Sequence, residues 1–296
     1  MSEVLSISGL TKKYGSLRAI NNLDLTIEKG NVYGILGPNG SGKTTTLSII
    51  MDIIRATKGT FRWFGEEPSY RSRQRIGATL ENPYFYPYLS AINNLKINAT
   101  IKQKPYKGLK DTLKMVGLYE RRRDKFKTYS MGMKQRLAIA SALIGEPEVL
   151  IFDEPTNGLD PQGIAEIREL IIRIAGEGQT VILASHLLDE VQKTCSHVAV
   201  LRKGEKLFSG SLGELSKESD VIELSSQNLD ILLTALQEIE DIGEVKREGN
   251  QLLVNAGPDL SPADINEILI EKGIVLSHLN LRKKSLEKEV LKLLME

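Results

Sequence analysis

Short apolar runs alternate with helical stretches over the first two-thirds of the chain. Most of these runs are nearly continuous in apolar and β-branched residues. Strands of this kind, separated by helices, are typical of a sheet that is buried on both faces. The pattern therefore predicts an α/β fold with strands near residues 23–27, 32–36, 61–64, 149–152, 181–184 and 198–201.

The alternation stops between residues 82 and 146. Apolar residues such as Leu95 and Leu109, followed by the apolar stretch 137–143, indicate helices in this region. We expect a helical lobe over about residues 82–146, carried on the α/β core. Lobe and core together would form a first domain over residues 1–215.

A second domain is expected over residues 220–296, after a polar connector at residues 216–220. Its elements read as strand, helix, hairpin, helix and strand. That order, β-α-β-β-α-β, predicts a small α+β domain of the ferredoxin-like type. The expected elements lie at residues 221–224, 229–239, 244–255, from Ser261 onward and 274–279, with a last helix at 286–294.

Composition narrows the class of protein. The 296 residues are enough for two domains, and 41% hydrophobic with 26% charged residues is ordinary for a folded protein. Lysine and arginine total 39 against 38 aspartate and glutamate, so no overall positive charge attracts nucleic acid. The single cysteine, Cys195, excludes an internal disulfide and a multi-cysteine metal site. Without a signal-peptide pattern or an apolar stretch of about 20 residues, we expect a cytoplasmic chain that does not cross a membrane.

A glycine-rich segment directly after the apolar run 32–36 matches the pattern G-x-x-x-x-G-K-[ST] of phosphate-binding loops. The glycines of such a loop let backbone N–H groups converge on phosphate oxygens at a helix N-terminus. Lys43 is predicted to reach the β- and γ-phosphates of ATP, and the Thr44 hydroxyl to ligate Mg²⁺. The predicted ATP-binding residues here are Gly37, Pro38, Asn39, Gly40, Ser41, Gly42, Lys43, Thr44 and Thr45.

Two adjacent carboxylates follow the apolar run 149–152. In a phosphate-loop ATPase, a strand of this kind carries the residues that handle magnesium and the attacking water. We expect Asp153 to hold Mg²⁺ through water and Glu154 to polarise the water that attacks the γ-phosphate. Without the phosphate loop upstream, the same two residues would more simply mark a strand that ends at the surface.

The segment 129–136, Tyr-Ser-Met-Gly-Met-Lys-Gln-Arg, resembles the signature of ABC transporter ATPase subunits, which usually reads Leu-Ser-Gly-Gly-Gln. Further features of that family appear in the expected order. The resemblance implies that Tyr14 stacks on adenine, that Asp160 belongs to the D-loop, and that His186 is the switch histidine that positions water and γ-phosphate. The resemblance covers about residues 3–215 and implies an ABC cassette that hydrolyses ATP with Mg²⁺ as cofactor.

The resemblance also implies that two cassettes work together. In the family, the signature of one subunit closes over the ATP bound by another. Ser130, Met131, Gly132 and Met133 would then complete the site of a second subunit, and Ser130 would join Lys43 in stabilising charge on the transferred phosphoryl group.

Three residues depart from the family pattern. Met131 replaces the first glycine of the signature and Met133 its glutamine, while Glu81 replaces the glutamine that ligates Mg²⁺ and senses the γ-phosphate. Glu81 can still offer an oxygen to Mg²⁺. The combination, in a single cassette with a C-terminal extension, resembles the ATPases of exporters for bacitracin, lantibiotics and related drugs.

The expected partners follow from this resemblance. It implies a homodimer at the inner face of the cell membrane, working with separately encoded integral-membrane permease subunits. Aromatic residues at positions 84–88 lie where the family contacts those subunits, although rings packed beneath a loop would explain them equally. Two alternatives are a soluble ATPase acting on ribosomes or DNA and a ligand-sensing regulator built on the C-terminal domain. The single cassette, the lack of a long coiled-coil insertion and the near-neutral charge argue against the first.

Overall fold

A computed structural model describes residues 2–80, 83–217, 221–239, 241–257, 260–282, 290 and 292–294. The chain divides into two units, Met1–Leu212 and Gly213–Glu296. Glu81 lies outside the described residues, and so does most of the helix predicted at 286–294, of which residues 290 and 292–294 are described and helical. No helix within the described ranges combines the length and apolar character needed to span a bilayer.

The first unit contains two sheets and a set of helices. In chain order its elements are β1 (Glu3–Tyr14), β2 (Leu17–Glu28), β3 (Val32–Leu36), α1 (Lys43–Ile50), β4 (Lys58–Trp63), α2 (Tyr70–Gln74), β5 (Ile76–Thr79), α3 (Ala91–Ile101), α4 (Leu109–Met115), α5 (Met131–Leu143), β6 (Val149–Asp153), α6 (Pro161–Gly176), β7 (Thr180–Ser185), α7 (Leu188–Thr194), β8 (His197–Arg202) and β9 (Glu205–Ser211). A further helix, α8 (Leu212–Lys217), follows in the sequence.

The larger sheet has the strand order β5-β6-β7-β3-β8-β9. Neighbouring strands are parallel throughout the series β5-β6-β7-β3-β8. The edge strand β9 is antiparallel to its neighbour β8. Every residue of β3, β6 and β7 is buried. Parallel strands covered on both faces need this continuous apolar character, so the prediction of an α/β fold is confirmed.

Two of the predicted strands belong to a different sheet from the one expected. Residues 23–27 and 61–64 fall mostly in β2 and β4, which pair with β1 in a separate antiparallel sheet of order β2-β1-β4. The strands β1, β5 and β9 were not predicted. In β1 polar residues interrupt the apolar ones, β5 has only four residues, and β9 is an edge strand with exposed positions, so none shows a clear apolar run.

The region predicted to be helical contains α3, α4 and α5. Leu95 and Leu109, which indicated helices in the sequence, lie on α3 and α4 and are buried. The last helix of the group, α5, contributes a buried apolar face that includes Leu137 and Ile139. The signature-like segment 129–136 spans the N-terminus of α5.

The second unit has its own sheet and its own apolar core. Its elements are β10 (Val221–Ser226), α9 (Leu229–Gln237), β11 (Ile242–Glu248), β12 (Gln251–Ala256), α10 (Pro262–Glu271) and β13 (Leu276–Arg282). The strand order is β11-β12-β10-β13, and all neighbouring pairs are antiparallel. Buried residues such as Leu232 of α9 and Ile265 of α10 pack with residues of β10 and β12. The last strand begins two residues later than predicted, after a turn in which Gly273 has φ +72°.

Candidate nucleotide site

Three neighbouring parallel strands, β6, β7 and β3, end at the same edge of the larger sheet. Glu154 follows β6, His186 follows β7 and Gly37 follows β3. Backbone hydrogen bonds hold these ends together: the Gly37 N–H donates to the Ser185 carbonyl (3.4 Å), and the Glu154 N–H donates to the Ala184 carbonyl (2.9 Å). Ligands of open α/β sheets bind outside the carboxyl ends of the strands, which makes this edge the candidate site.

The glycines of the phosphate loop are required by its geometry. Gly42 is the N-cap of α1 with φ +105°, and a Cβ at this position would lie 2.6 Å from the Ala19 carbonyl oxygen. A Cβ on Gly37 would lie 2.3 Å from the Leu201 carbonyl oxygen. Both positions therefore require glycine, and the loop leads directly into the N-terminus of α1, whose unpaired N–H groups are suited to binding an anion.

The predicted catalytic side chains meet around one carboxylate. The Lys43 ammonium donates to the Gly37 carbonyl (2.8 Å) and lies 3.3 Å from Glu154 Oε1. The His186 ring nitrogen Nδ1 lies 2.8 Å from Glu154 Oε2. The Lys43 side chain is 5% exposed and that of Glu154 14% exposed, so their ion pair is shielded from water. The carboxylate is therefore held between a cation and an imidazole.

Glu154 also has an unusual backbone conformation. Its φ of +48° is in the left-handed region, which costs a residue with a side chain about 1–2 kcal/mol. The conformation is fixed on both sides, because the Glu154 N–H donates to Ala184 and its carbonyl accepts from the Asn157 N–H (3.1 Å). Strain of this kind is found preferentially at functional sites, where it directs a side chain. Here it turns the carboxylate from the strand end toward Lys43.

Two residues at this edge carry oxygens suited to magnesium. Asp153 is the last residue of β6 and is fully buried, and Thr44 is the second residue of α1 and is half-buried. Mg²⁺ is usually bound by one or two protein oxygens together with phosphate oxygens. Carboxylate and hydroxyl oxygens beside a phosphate loop fit that ligand set. Glu81, the third predicted ligand, is not among the described residues.

A cavity of ≈ 940 Å³ opens at this edge. It is lined by most of the predicted loop residues, by Glu154, His186 and Tyr14, but not by Gly37, Pro38, Ser41 or Asp153. Tyr14 lies at the cavity wall with 48% of its surface exposed, and its ring is 4.9 Å from the Lys12 ammonium. The predicted residues that line the cavity are Tyr14, Asn39, Gly40, Gly42, Lys43, Thr44, Thr45, Met131, Glu154 and His186.

The signature-like segment lies at the start of α5. Ser130 is the N-cap of this helix, is exposed, and accepts a hydrogen bond from the Met133 N–H (3.3 Å). Met131 is 45% exposed and lines the cavity, whereas Ser130, Gly132 and Met133 do not line it. The Met131 methyl group lies 3.9 Å from where a Cβ on Gly158 would be. The segment is therefore close to the loop that follows Glu154 in the same chain.

Asp160 has a defined structural position. It is exposed and is the N-cap of α6, accepting a hydrogen bond from the Gly163 N–H (2.9 Å). Pro161 follows at the first helical position, a common arrangement at helix starts. Asp160 does not line the cavity, although Asn157 and Gly158 of the same loop do.

The aromatic residues after Glu81 divide into two groups. Tyr84 is 88% exposed and Tyr88 is 63% exposed. Phe85 instead packs on Phe126, with 5.1 Å between the ring centres. Packing beneath a loop thus accounts for Phe85 but not for the exposed tyrosines.

Several cavity residues were missed in the sequence. Leu17 and Arg18 at the start of β2, and Lys203 in the turn between β8 and β9, line the cavity but belong to no recognised motif. Lys203 is 160 residues after Lys43 in sequence, and only the strand order brings it close to the phosphate loop. Cys195 is outside the site, and burial raises the pKa of its thiol to about 12, as expected for an unreactive apolar residue.

The comparisons with known proteins agree with this geometry. The family profile described as ABC transporter matches residues 20–157, and a second profile, of an AAA domain, matches residues 125–191. The bacitracin transport ATP-binding protein BcrA of Bacillus licheniformis is 36% identical over 304 residues, which cover 99% of this chain and 98% of that protein. This chain belongs to the ABC transporter family of ATP-binding subunits.

Other relatives within the ABC family support the same assignment. The lantibiotic transport ATP-binding protein SrtF of Streptococcus pyogenes is 40% identical over 212 residues, covering 70% of this chain and 93% of that protein. The structure of cbiO1 from Clostridium perfringens, part of an ABC transporter complex, superimposes with a TM-score of 0.67 at 30% identity, covering 73% of this chain and 91% of that chain. The chain is thus an ABC ATPase whose ATP hydrolysis is coupled to transport, and the prediction of a transporter ATP-binding subunit is confirmed.

Proposed function

We propose that this chain hydrolyses ATP as one half of a homodimer bound to separate integral-membrane permease subunits at the inner face of the cell membrane. The cargo would be a peptide antibiotic or a related small molecule, which the names of the bacitracin and lantibiotic transport relatives support, and we propose that it is moved outward. The observation that carries the hydrolytic part of the proposal is the Glu154 carboxylate, held between Lys43 and His186.

The proposed reaction uses this carboxylate as the general base. ATP lies with its phosphates against the loop N–H groups and Lys43, and with its adenine against Tyr14. Glu154 accepts a proton from water while the water oxygen bonds to the γ-phosphorus and the bond from that phosphorus to the bridging oxygen breaks, giving ADP and phosphate. His186 holds Glu154 Oε2 in place and so orients the base.

Magnesium has suitable ligands in this arrangement. We propose that Thr44 and Asp153 hold Mg²⁺, with Glu81 as a further ligand inferred from its place in the sequence. When bound, the ion would neutralise charge on the phosphate oxygens.

Two observations support a dimer that shares its sites. Ser130 at the start of α5 is exposed and does not line the cavity of its own chain, so it is available to a second subunit. The ATP-binding cassette MJ0796, which is 26% identical with a TM-score of 0.62, has a dimeric post-hydrolysis structure bound to ADP and phosphate. We propose that Ser130 and Gly132 act in this way across a dimer.

The exposed tyrosines suggest where a permease binds. Tyr84 and Tyr88 present rings with a polar tip to solvent, and such residues are enriched at protein interfaces.

We also propose that the second unit is a ferredoxin-like accessory domain. Its β-α-β-β-α-β order and its antiparallel strand order β11-β12-β10-β13 support this.

Copurification from the native host tests the assembly. An affinity-tagged chain, extracted from membranes in mild detergent, should bring down integral-membrane proteins in comparable amount. Tyr84→Asp should reduce this recovery, because it places a charge at the proposed interface, whereas Tyr106→Asp, at another exposed tyrosine, should not. Recovery with ribosomes or nucleic acid and without membrane proteins would refute the proposed assembly.

A further inference from the structure

The turn between β8 and β9 is fixed against the phosphate loop. The Gly204 N–H donates to the Ser41 carbonyl (3.0 Å), and the Gly204 carbonyl accepts from the Asn21 N–H (2.8 Å). A Cβ on Gly204 would lie 2.7 Å from the Ala19 carbonyl oxygen, so a larger residue would not fit. Lys203, directly before it, has φ +49°. Its backbone is therefore set by contacts with the loop and with β2.

The Lys203 side chain lies at the cavity wall and has no partner within the described part of the chain. It is exposed, and none of the described residues gives it a hydrogen bond or an ion pair. The other two cations of the wall are engaged: Arg18 donates to Asn21 Oδ1 (2.9 Å), and Lys43 pairs with Glu154 (3.3 Å). A cation held at the wall of an anion-binding cavity, without a protein partner, is available to a ligand.

The strand order indicates which part of a bound nucleotide the Lys203 side chain would contact. Glu154 and His186 follow β6 and β7, which lie on one side of β3, whereas Lys203 follows β8 on the other side. Since neighbouring strands are about 4.8 Å apart, β8 is roughly 10–14 Å from the strands that carry the base and the histidine. Gly204 Cα is 3.6 Å from where a Cβ on Gly42 would be, beside the start of α1. Lys203 is thus nearer to the start of α1 than to the strand ends that carry Glu154 and His186.

We propose that Lys203 binds the phosphate nearest the nucleoside of ATP or ADP. This inference rests on the proposed binding of ATP at the phosphate loop. A lysine ammonium can donate to a non-bridging phosphate oxygen as a charge-assisted hydrogen bond. Because both nucleotides carry this phosphate, Lys203 contributes equally to the affinity for ATP and for ADP and takes no part in the hydrolytic step.

Equilibrium titrations of the full chain test the assignment. Lys203→Met should weaken binding of ATP and of ADP by the same factor, about three- to tenfold, which is the range for a charge-assisted contact at a partly exposed site. Adenosine binding should be unchanged, and Lys203→Arg should retain most of the affinity. The matched control is Lys206→Met, at an exposed lysine of β9 outside the cavity, which should bind like the wild type.

Each other outcome has a distinct meaning. Unchanged ATP and ADP affinities in Lys203→Met would overturn the inference, and so would a loss for ATP alone or an equal loss for adenosine. The thermal unfolding temperature of Lys203→Met should match that of the wild type, since the contacts that hold this turn are made by backbone atoms. Lys43→Ala separates the proposed site from this inference: if it binds ATP as well as the wild type, the proposed site itself is wrong.

Discussion

Replacing Glu154 with glutamine tests the proposed general base most directly. Glutamine has nearly the same shape and retains hydrogen-bonding atoms for Lys43 and His186, but it cannot accept the proton of water at neutral pH. The left-handed backbone at this position makes the same demand on both residues, because neither is a glycine. We therefore expect Glu154→Gln to fold like the wild type.

The size of the effect follows from the role of the carboxylate. Losing a general base typically slows turnover by about 10²- to 10⁴-fold, which is roughly 3–5 kcal/mol of activation free energy. The affinity for ATP should not fall with turnover. The Lys43 side chain, 5% exposed, loses the charged partner at 3.3 Å and becomes fully available to phosphate. We expect ATP affinity to stay equal or to rise.

Two measurements on the same preparation decide the case. Phosphate release under saturating ATP gives turnover, and equilibrium titration gives the dissociation constant. Glu177→Gln, at the exposed C-cap of α6, removes a similar charge near the start of β7, at the opposite end of that strand from His186, and should leave both unchanged. Turnover close to wild type in Glu154→Gln would refute the assignment of the base, and a parallel loss of ATP binding would make Glu154 a structural residue instead.

Three further substitutions have defined outcomes. In a Glu154→Gln background, ATP and Mg²⁺ should drive a monomer-to-dimer shift in light scattering that Ser130→Arg blocks; an unchanged dimer in the double variant would exclude Ser130 from the interface. Burial lowers the pKa of Lys102 to about 8. Between pH 8 and about pH 10.4 this lysine keeps its proton only in the unfolded chain, so the free energy of unfolding should rise over that range. The rise should be missing in Lys102→Met. Glu81→Gln should need more Mg²⁺ for half-maximal hydrolysis, because a neutral oxygen binds the ion less tightly; superimposable magnesium titrations would remove Glu81 from the metal site.

The fold could be predicted where burial is continuous or where a local signal fixes the start of an element. The strands β3, β6 and β7 are buried along their whole length, so composition alone reveals them. The pairing of β2 with β1 and β4 in a separate sheet was not predictable in this way, since an apolar run shows that a strand is buried but not which strand lies beside it. In the second unit the capping box of Ser261 and Asp264 fixed the start of α10 locally, and the sequence located it correctly.

The same distinction applies to the site. The residues predicted to bind phosphate or water are grouped in short motifs, because a loop between a strand and a helix must place several groups within a few ångströms of each other. The rest of the cavity wall comes from segments that meet only in three dimensions. Ala19, Gly42 and Gly204 show this: a Cβ on either glycine would lie within 2.7 Å of the Ala19 carbonyl oxygen, so both must remain glycine. The phosphate-loop motif identifies Gly42, but only the position of β8 beside β3 explains Gly204 and places Lys203 next to it. The motifs therefore identify the edge of the sheet that carries the candidate site, and the strand order determines which other side chains line its cavity.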